Sequence, residues 1–282
     1  MKNEADASVA PVISTYEEEK RVQERVAIGA NVVYEAIRRE GDDELRRSNS
    51  ALAWSGLAAG LSMGISFVSE ALVKARLPDQ PWSLLLSRAG YSVGFLAVVL
   101  GRQQLFTENT LTVILPLMSS KRVSTLLAVM RLWAVVLATN LFGTYLFALL
   151  VAKINVLDPD VSRVLVEIGE AHLGGAALPV FARAVFAGWL IALMVWLLPG
   201  AESARVSIII LLTYIIGLGG FNHIVAGSTT VFYLIVRHTA GWSAYFLQFF
   251  LPTLLGNIVG GVALVAALAH AQVVGGAAAR QQ

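Results

Sequence analysis

His223 is the side chain in this sequence best suited to proton chemistry, and it stands where an apolar segment should be driest. It lies in GLGGFNHIVAGSTTVFYLIV, Gly217 to Val236, together with three glycines of the GLGG opening and the polar run Gly227-Ser228-Thr229-Thr230. An imidazole changes charge within the physiological pH range, so a modest change of surroundings makes it a proton donor or a switch. Ionisable groups inside membrane segments are costly and mark ion pathways or proton relays. The structural alternative is a neutral ring bonded to a carbonyl freed by a broken helix. Asn222 beside it either positions the ring or satisfies the break.

A second cluster lies upstream in GRQQLFTENT, Gly101 to Thr110. Arg102 and Glu108 flank it, and a salt bridge between them within the loop is the plain structural expectation. Thr107 offers a small hydroxyl able to line a pore. Arg131 and Arg183 sit within or at the edge of apolar runs, where snorkelling or pairing with a carboxylate is expected. His238 and His270 read as interfacial. Glu108 and His223 together suit acid–base work, yet no nucleophile or metal set accompanies them. There are no cysteines, no zinc-spaced histidines, no phosphate loop and no GxSxG elbow. The chain therefore does not read as an enzyme or as a thiolate or zinc metal binder.

The elements that must position these residues are membrane helices. Of 282 residues, 56% are hydrophobic and 14% charged, and the mean hydropathy is +0.68. A soluble domain carries about a quarter charged residues. Residues 1–50 hold 8 Lys/Arg and 11 Asp/Glu; the rest of the chain holds 13 and 8. The pI near 9.0 reflects that small surplus, and no basic stripe suggests nucleic acid. No cleavable signal peptide is evident. Residues 1–15 read as disordered, and Val22, Val26, Val33 and Ile37 recur at helical spacing over Tyr16 to Glu40. GDDELRRS follows as a charged linker.

From residue 51 the chain supplies six spans of roughly 20 apolar residues or more: 51–73, 84–118, 123–151, 180–198, 205–236 and 245–271. The second span of each half is overlong and interrupted, at Gly101 to Thr110 and at Gly217 to Ser228. Such matched interruptions predict an inverted repeat of three plus three helices, with the pathway at the interface of the halves. Irregular backbone at that depth survives only where protein buries it or water lines it. The expected domains are a polar N-terminal segment (1–50), the six-helix body (51–271) and a short tail (272–282). Lys121, Arg122 and Arg205 place both termini on the cytoplasmic side.

Four stretches then resemble one family. Gly220-Phe221-Asn222-His223-Ile224-Val225-Ala226 resembles the GFEHSxAN signature of the formate/nitrite transporter family, and Leu105-Phe106-Thr107 resembles its LFT loop. Leu251 to Gly261 (LPTLLGNIVGG) is similar to the opening of its last helix, and Asn140 in ATNLFGTYLF to the GNLxGA of its third. The resemblance implies an all-α, aquaporin-like outline with helices two and five broken. It also implies a pentamer with one pore per subunit, in a bacterial inner membrane. It implies a path without cofactor for small monovalent anions of weak acids, with His223 central, Thr107 in the facing loop, and Phe106 and Phe221 near the constrictions. Where the family has an acidic residue, this chain has Asn222. Gly227-Ser228-Thr229-Thr230 make that wall smaller and more hydroxylic. The vestibule lysine has no counterpart, so its role either passes to His172 or Arg183 or is absent. These departures favour one alternative, a pore for small neutral solutes. A non-conducting sensor or scaffold, its N-terminal helix contacting a cytoplasmic partner, is a second, against which the small Gly227-Ser228-Thr229 run argues.

Overall fold

The computed structural model describes Tyr16 and residues 28–154, 156–173 and 175–279, and every regular element among them is helical. The disorder expected over residues 1–15, and the part of the N-terminal helix expected between 17 and 27, fall outside the described residues. In chain order the helices are α1 (Ala30–Arg46), α2 (Asn49–Lys74), α3 (Ser83–Leu100), α4 (Asn109–Thr112, continued as Ile114–Ser120) and α5 (Val123–Ile154). They continue with α6 (Pro159–Leu173), α7 (Ala177–Leu197), α8 (Arg205–Leu218), α9 (Ile224–Val236), α10 (Trp242–Gly261) and α11 (Ala267–Ala279).

Five of these, α2, α3, α5, α7 and α10, are long and apolar enough to cross a membrane. The stretch 205–236 is instead divided into α8 and α9, of 14 and 13 residues. At 1.5 Å per residue each reaches only about 20 Å, short of a hydrocarbon core of roughly 30 Å. Their partial length is what leaves backbone ends in the interior.

GDDELRRS is not a linker: α1 runs through it to Arg46. Ion pairs one turn apart hold that stretch, Arg38 with Asp42 (2.6 Å), Arg46 with Asp43 (3.1 Å) and Arg47 with Glu44 (3.0 Å). Arg131 adds a bond to Leu45 O (2.7 Å) and another to Arg47 O (3.1 Å), capping the carbonyls that the helix end exposes. This is where its charge goes, to carbonyls rather than a carboxylate. Tyr34 Oη bonds His270 Nδ1 at 2.7 Å, fastening α1 to α11.

Two helix pairs make the frame, α2 on α5 and α7 on α10. Small residues let each pair approach closely, Gly60 against Gly143 in the first and Gly188 with Gly260 in the second. After each break the chain crosses over. The start of α4 packs on α7 and α10, while α9 packs on α2, α5 and α6. Every residue of α9 is buried. Large apolar side chains such as Phe142, Leu150, Leu211, Leu247 and Leu255 point outward, as a surface facing lipid or another copy requires.

A Cβ at Gly188 would meet the Asn257 main chain, which has no flexible end to yield. Gly188→Val is expected to destabilise the α7–α10 pair by about 1–3 kcal/mol or more. Thermal unfolding in detergent reads this; an unshifted Tm would mean that the two helices separate freely.

Candidate functional site

Each break is built by the same backbone device. The α3 end is closed by Gly101 N–H to Ala97 O (3.0 Å), Arg102 N–H to Val99 O (3.2 Å) and Gln103 N–H to Val98 O (3.0 Å). The α8 end repeats it with Gly219 to Ile215 (2.9 Å), Gly220 to Gly217 (3.2 Å) and Phe221 to Ile216 (3.0 Å). Both are Schellman-type terminations whose central residue is left-handed, Arg102 at φ 49° and Gly220 at φ 59°. Glycine accepts that conformation freely; a residue with a Cβ does so at a cost of about 1–2 kcal/mol.

After each turn one buried asparagine gathers the freed backbone. Asn140 accepts from Phe106 N–H (2.9 Å) and donates to Gly56 O and Gln104 O (both 2.8 Å). Asn257 accepts from Ile224 N–H (2.8 Å) and donates to Ala184 O (2.8 Å) and Asn222 O (2.9 Å). A carboxamide carries two donors and an acceptor, so it can accept one bond and donate two at once, where a Ser or Thr hydroxyl can donate only one. These cradles let non-helical backbone sit in a dry interior.

The breaks meet at His223 and Thr107. His223 caps α9, its Nδ1 accepting from Ala226 N–H at 3.1 Å, and its Nε2 lies 2.7 Å from Thr107 Oγ1. With Nδ1 accepting, the hydrogen-bond network places the proton of the neutral ring on Nε2, which donates to Thr107. Phe95 meets the ring edge-on, 5.1 Å between centroids, and both residues of the pair are fully buried.

A cavity opens at each break. One, of about 110 Å³, is lined by Arg102, Gln103, Gln104 and Glu108 with Glu40 and Arg205. The other, of about 240 Å³, is lined by Gly220, Phe221 and Asn222 with Arg88, His172 and Arg183. Val99 and Leu100 of α3 line the first and Arg88 and Tyr91 the second, and α8 likewise reaches one with Arg205 and the other with Ile216. The cavities therefore lie at opposite ends of both helices. His223 and Thr107 line neither, and form a septum between them.

The other expected residues fall around this septum. Leu105 is buried, and Phe106 packs on Trp133 (5.6 Å) and lines neither cavity. Phe221 stacks on Phe186 (5.1 Å) at the second cavity. The loop salt bridge expected between Arg102 and Glu108 is not formed. Arg102 reaches across to Glu40 of α1 at 2.6 Å, and Glu108 keeps a buried Oε1 without a hydrogen-bond partner. The second interruption is also shorter than Gly217 to Ser228, because α9 already begins at Ile224. Its hydroxyls turn back on their own helix, Ser228 to Ile224 O (2.5 Å) and Thr230 to Gly227 O (2.8 Å). In that arrangement they satisfy backbone rather than present a hydroxylic wall.

At the second cavity, burial holds the His172 ring down, near 4, despite its bond to Ile168 O. A ring that stays neutral leaves the positive charge there to Arg88 and Arg183. Arg88 was not among the expected residues. It donates to Glu70 at 2.6 Å, the Glu70 side chain being only 4% exposed. The signal for it was an acid in 51–73 and a base in 84–118, both inside apolar spans, where such groups pair.

Known proteins share this fold. The profile of the family described as Formate/nitrite transporter matches residues 31–271. Inner membrane protein YfdC of Escherichia coli (strain K12) is 41% identical over 251 residues, 89% of this chain and 81% of that one. Formate channel BtFdhC of Bacillus thuringiensis is 25% identical, covering 83% and 91%. Among solved structures, a pentameric formate channel with formate bound superposes with a TM-score of 0.67 at 22% identity, over 78% of this chain and 95% of that one. An FNT family ion channel gives 0.72 at 18%, over 83% and 96%. Those two likenesses carry the fold. With the profile spanning most of its length, this chain belongs to the formate/nitrite transporter family, a family of transporters and channels rather than enzymes.

Proposed function

We propose that this protein carries small monovalent weak-acid anions, of the formate or nitrite kind, across a bacterial inner membrane. One observation carries the reading: a dry His223–Thr107 septum separates two polar cavities at opposite ends of α3 and α8. Arg88 and Arg183 gather anions in the second cavity, as a recess lined by one sign of charge does. An ion entering the septum would lose its hydration at a cost of many kcal/mol. The solute therefore crosses as its neutral acid, hydrogen-bonded by the two polar groups that the septum holds. His223 Nε2–H and the Thr107 hydroxyl exchange their mutual bond for bonds to solute oxygen. Leu105, Phe106, Phe95 and Phe221 supply the apolar surroundings.

The architecture that goes with this is six spans in a three-plus-three inverted repeat. The identical helix terminations and the matched Asn140 and Asn257 cradles support it. The chain assembles as a homopentamer with one path per subunit, an assembly named for one structural neighbour. Its α1 side, rich in Arg46, Arg47, Lys121 and Arg122, is cytoplasmic. The first cavity then opens inward.

The test is flux through liposomes holding the purified chain, against formate, nitrite, acetate, lactate, hydrosulfide, urea and glycerol at several pH values. Weak-acid flux should rise as pH falls and drop at least about tenfold in His223→Ala and His223→Asn, the loss equivalent to one hydrogen bond of about 1.4 kcal/mol. Flux of urea or glycerol alone, unchanged in both variants, would make the ring structural and the path one for neutral solutes. No flux of any solute would favour a sensor or scaffold.

A further inference from the structure

We propose that Glu108 is the proton-exchanging carboxyl of the first cavity, giving its proton to a weak-acid anion there and taking it back on return. This deepens the transport reading and rests on it.

The position is specific. Glu108 directly follows Thr107, the septum residue bonded to His223, and it lines the cavity at the first break. Its Oε1 is buried without a hydrogen-bond partner. A carboxylate oxygen buried and unbonded is expensive, whereas the neutral acid leaves no uncompensated charge and offers an O–H donor.

Charged groups of both signs line the same cavity. From α1 come Glu40 and Glu44, from the break Arg102, and from α8 Arg205. Arg102 is committed to Glu40 at 2.6 Å, and Glu44 to Arg47 at 3.0 Å. Neither Arg102 nor Arg47 forms a salt bridge with Glu108. Arg205 forms no salt bridge among the described residues, and its Nε is likewise buried and unbonded. One cavity thus holds an unbonded buried acceptor position on a carboxyl and an unbonded buried donor on a guanidinium. A small oxyanion entering this cavity can accept from the Glu108 O–H, and Arg205 adds positive charge to the same lining.

The central ring is poorly placed to be the donor itself. Its Nδ1 lone pair is committed to Ala226 N–H, and its Nε2 already bears the single proton of the neutral ring. Making an imidazolium would require giving up the cap of α9. The transfer is simple in balance: the O–H bond of Glu108 breaks, an O–H bond forms on the solute oxygen, and Glu108 is left as a carboxylate. A hydronium ion reaching the cavity from bulk water then returns a proton to Glu108 and is left as water. The solute proceeds to His223 and Thr107 as the neutral acid.

The experiment compares the full chain with Glu108→Gln and Glu108→Asp in liposomes loaded with a pH-sensitive dye, under a formate gradient. Parent flux should be strongly pH-dependent. Glu108→Gln should lower flux about tenfold or more, as loss of a proton donor does, and flatten what remains against pH. Glu108→Asp should restore the pH dependence. Infrared spectra of the parent at neutral pH should contain a carboxylic-acid carbonyl band that Glu108→Gln lacks. That readout is independent of flux, and correct pentamer size on gel filtration shows that the variant has folded. Parent flux with an unchanged rate, pH profile and infrared spectrum in Glu108→Gln overturns the role of Glu108 alone. A parent that moves no weak acid overturns the transport reading, and this one with it.

Discussion

Asn257→Ala is expected to destabilise the protein by at least about 2 kcal/mol and to stop transport, although its side chain touches neither cavity. Three bonds vanish at once and leave Ile224 N–H and Asn222 O unpaired in a dry interior, while Ala184 O keeps only its bond within α7. Each such orphan costs about 1–3 kcal/mol, and a membrane offers no water to take the place of the lost partner. Ile224 is the residue after His223, so freeing its N–H also loosens the start of α9 and the ring that caps it. Asn257→Asp should recover only part of the loss. It still accepts from Ile224 N–H but cannot donate to the two carbonyls. Asn140→Ala should behave alike from the other side, because Phe106 N–H and Gln104 O hold the loop that presents Thr107. Thermal unfolding in detergent and formate flux measure the two consequences. A variant with the parent's Tm and flux would show that the breaks are held by something other than these carboxamides.

The breaks were legible in the sequence because glycine and polar residues interrupt apolar runs of excess length. Their extent was not. Gly227-Ser228-Thr229-Thr230 looks like unwound chain, yet hydroxyls bonding to carbonyls one turn back let those residues stay helical. That the two breaks approach each other was readable from their matching places in the two halves, whereas Thr107 as the residue facing His223 came from the family resemblance; the two side chains lie 2.7 Å apart. Arg102 was misread for a reason of distance along the chain. A loop-local partner was the natural guess, while the true one, Glu40, sits 62 residues earlier on a helix whose position no pattern reveals. GDDELRRS was hidden by composition. Glycine and a cluster of charges suggest a linker, and only the register of pairs such as Arg38–Asp42 shows a helix. Glu70 and Arg88 stood in plain view as opposite charges in neighbouring spans. Recognising them as a pair required knowing that the two spans pack side by side at the same depth.

Arg88 carries the second large effect, because it serves stability and solute capture together and the two can be separated. Arg88→Leu strands Glu70 as an uncompensated buried charge, and breaking such a pair by removing one partner costs about 3–5 kcal/mol. Loss of transport in that variant would say little, since the chain would be damaged. Replacing both members, Glu70→Leu with Arg88→Leu, removes the stranded charge, and substitution of a whole buried pair by apolar residues is often neutral or stabilising. The double variant should therefore recover the parent's Tm. It should not recover the cavity's charge. Arg183 alone remains beside a neutral His172, so fewer anions collect at the septum. The expected result is a raised half-saturating formate concentration with a maximal flux near the parent's, and a weaker dependence on ionic strength. A double variant with the parent's half-saturation would confine Arg88 to holding Glu70. One with the single variant's lowered Tm would mean that the pair is needed for packing rather than for charge balance.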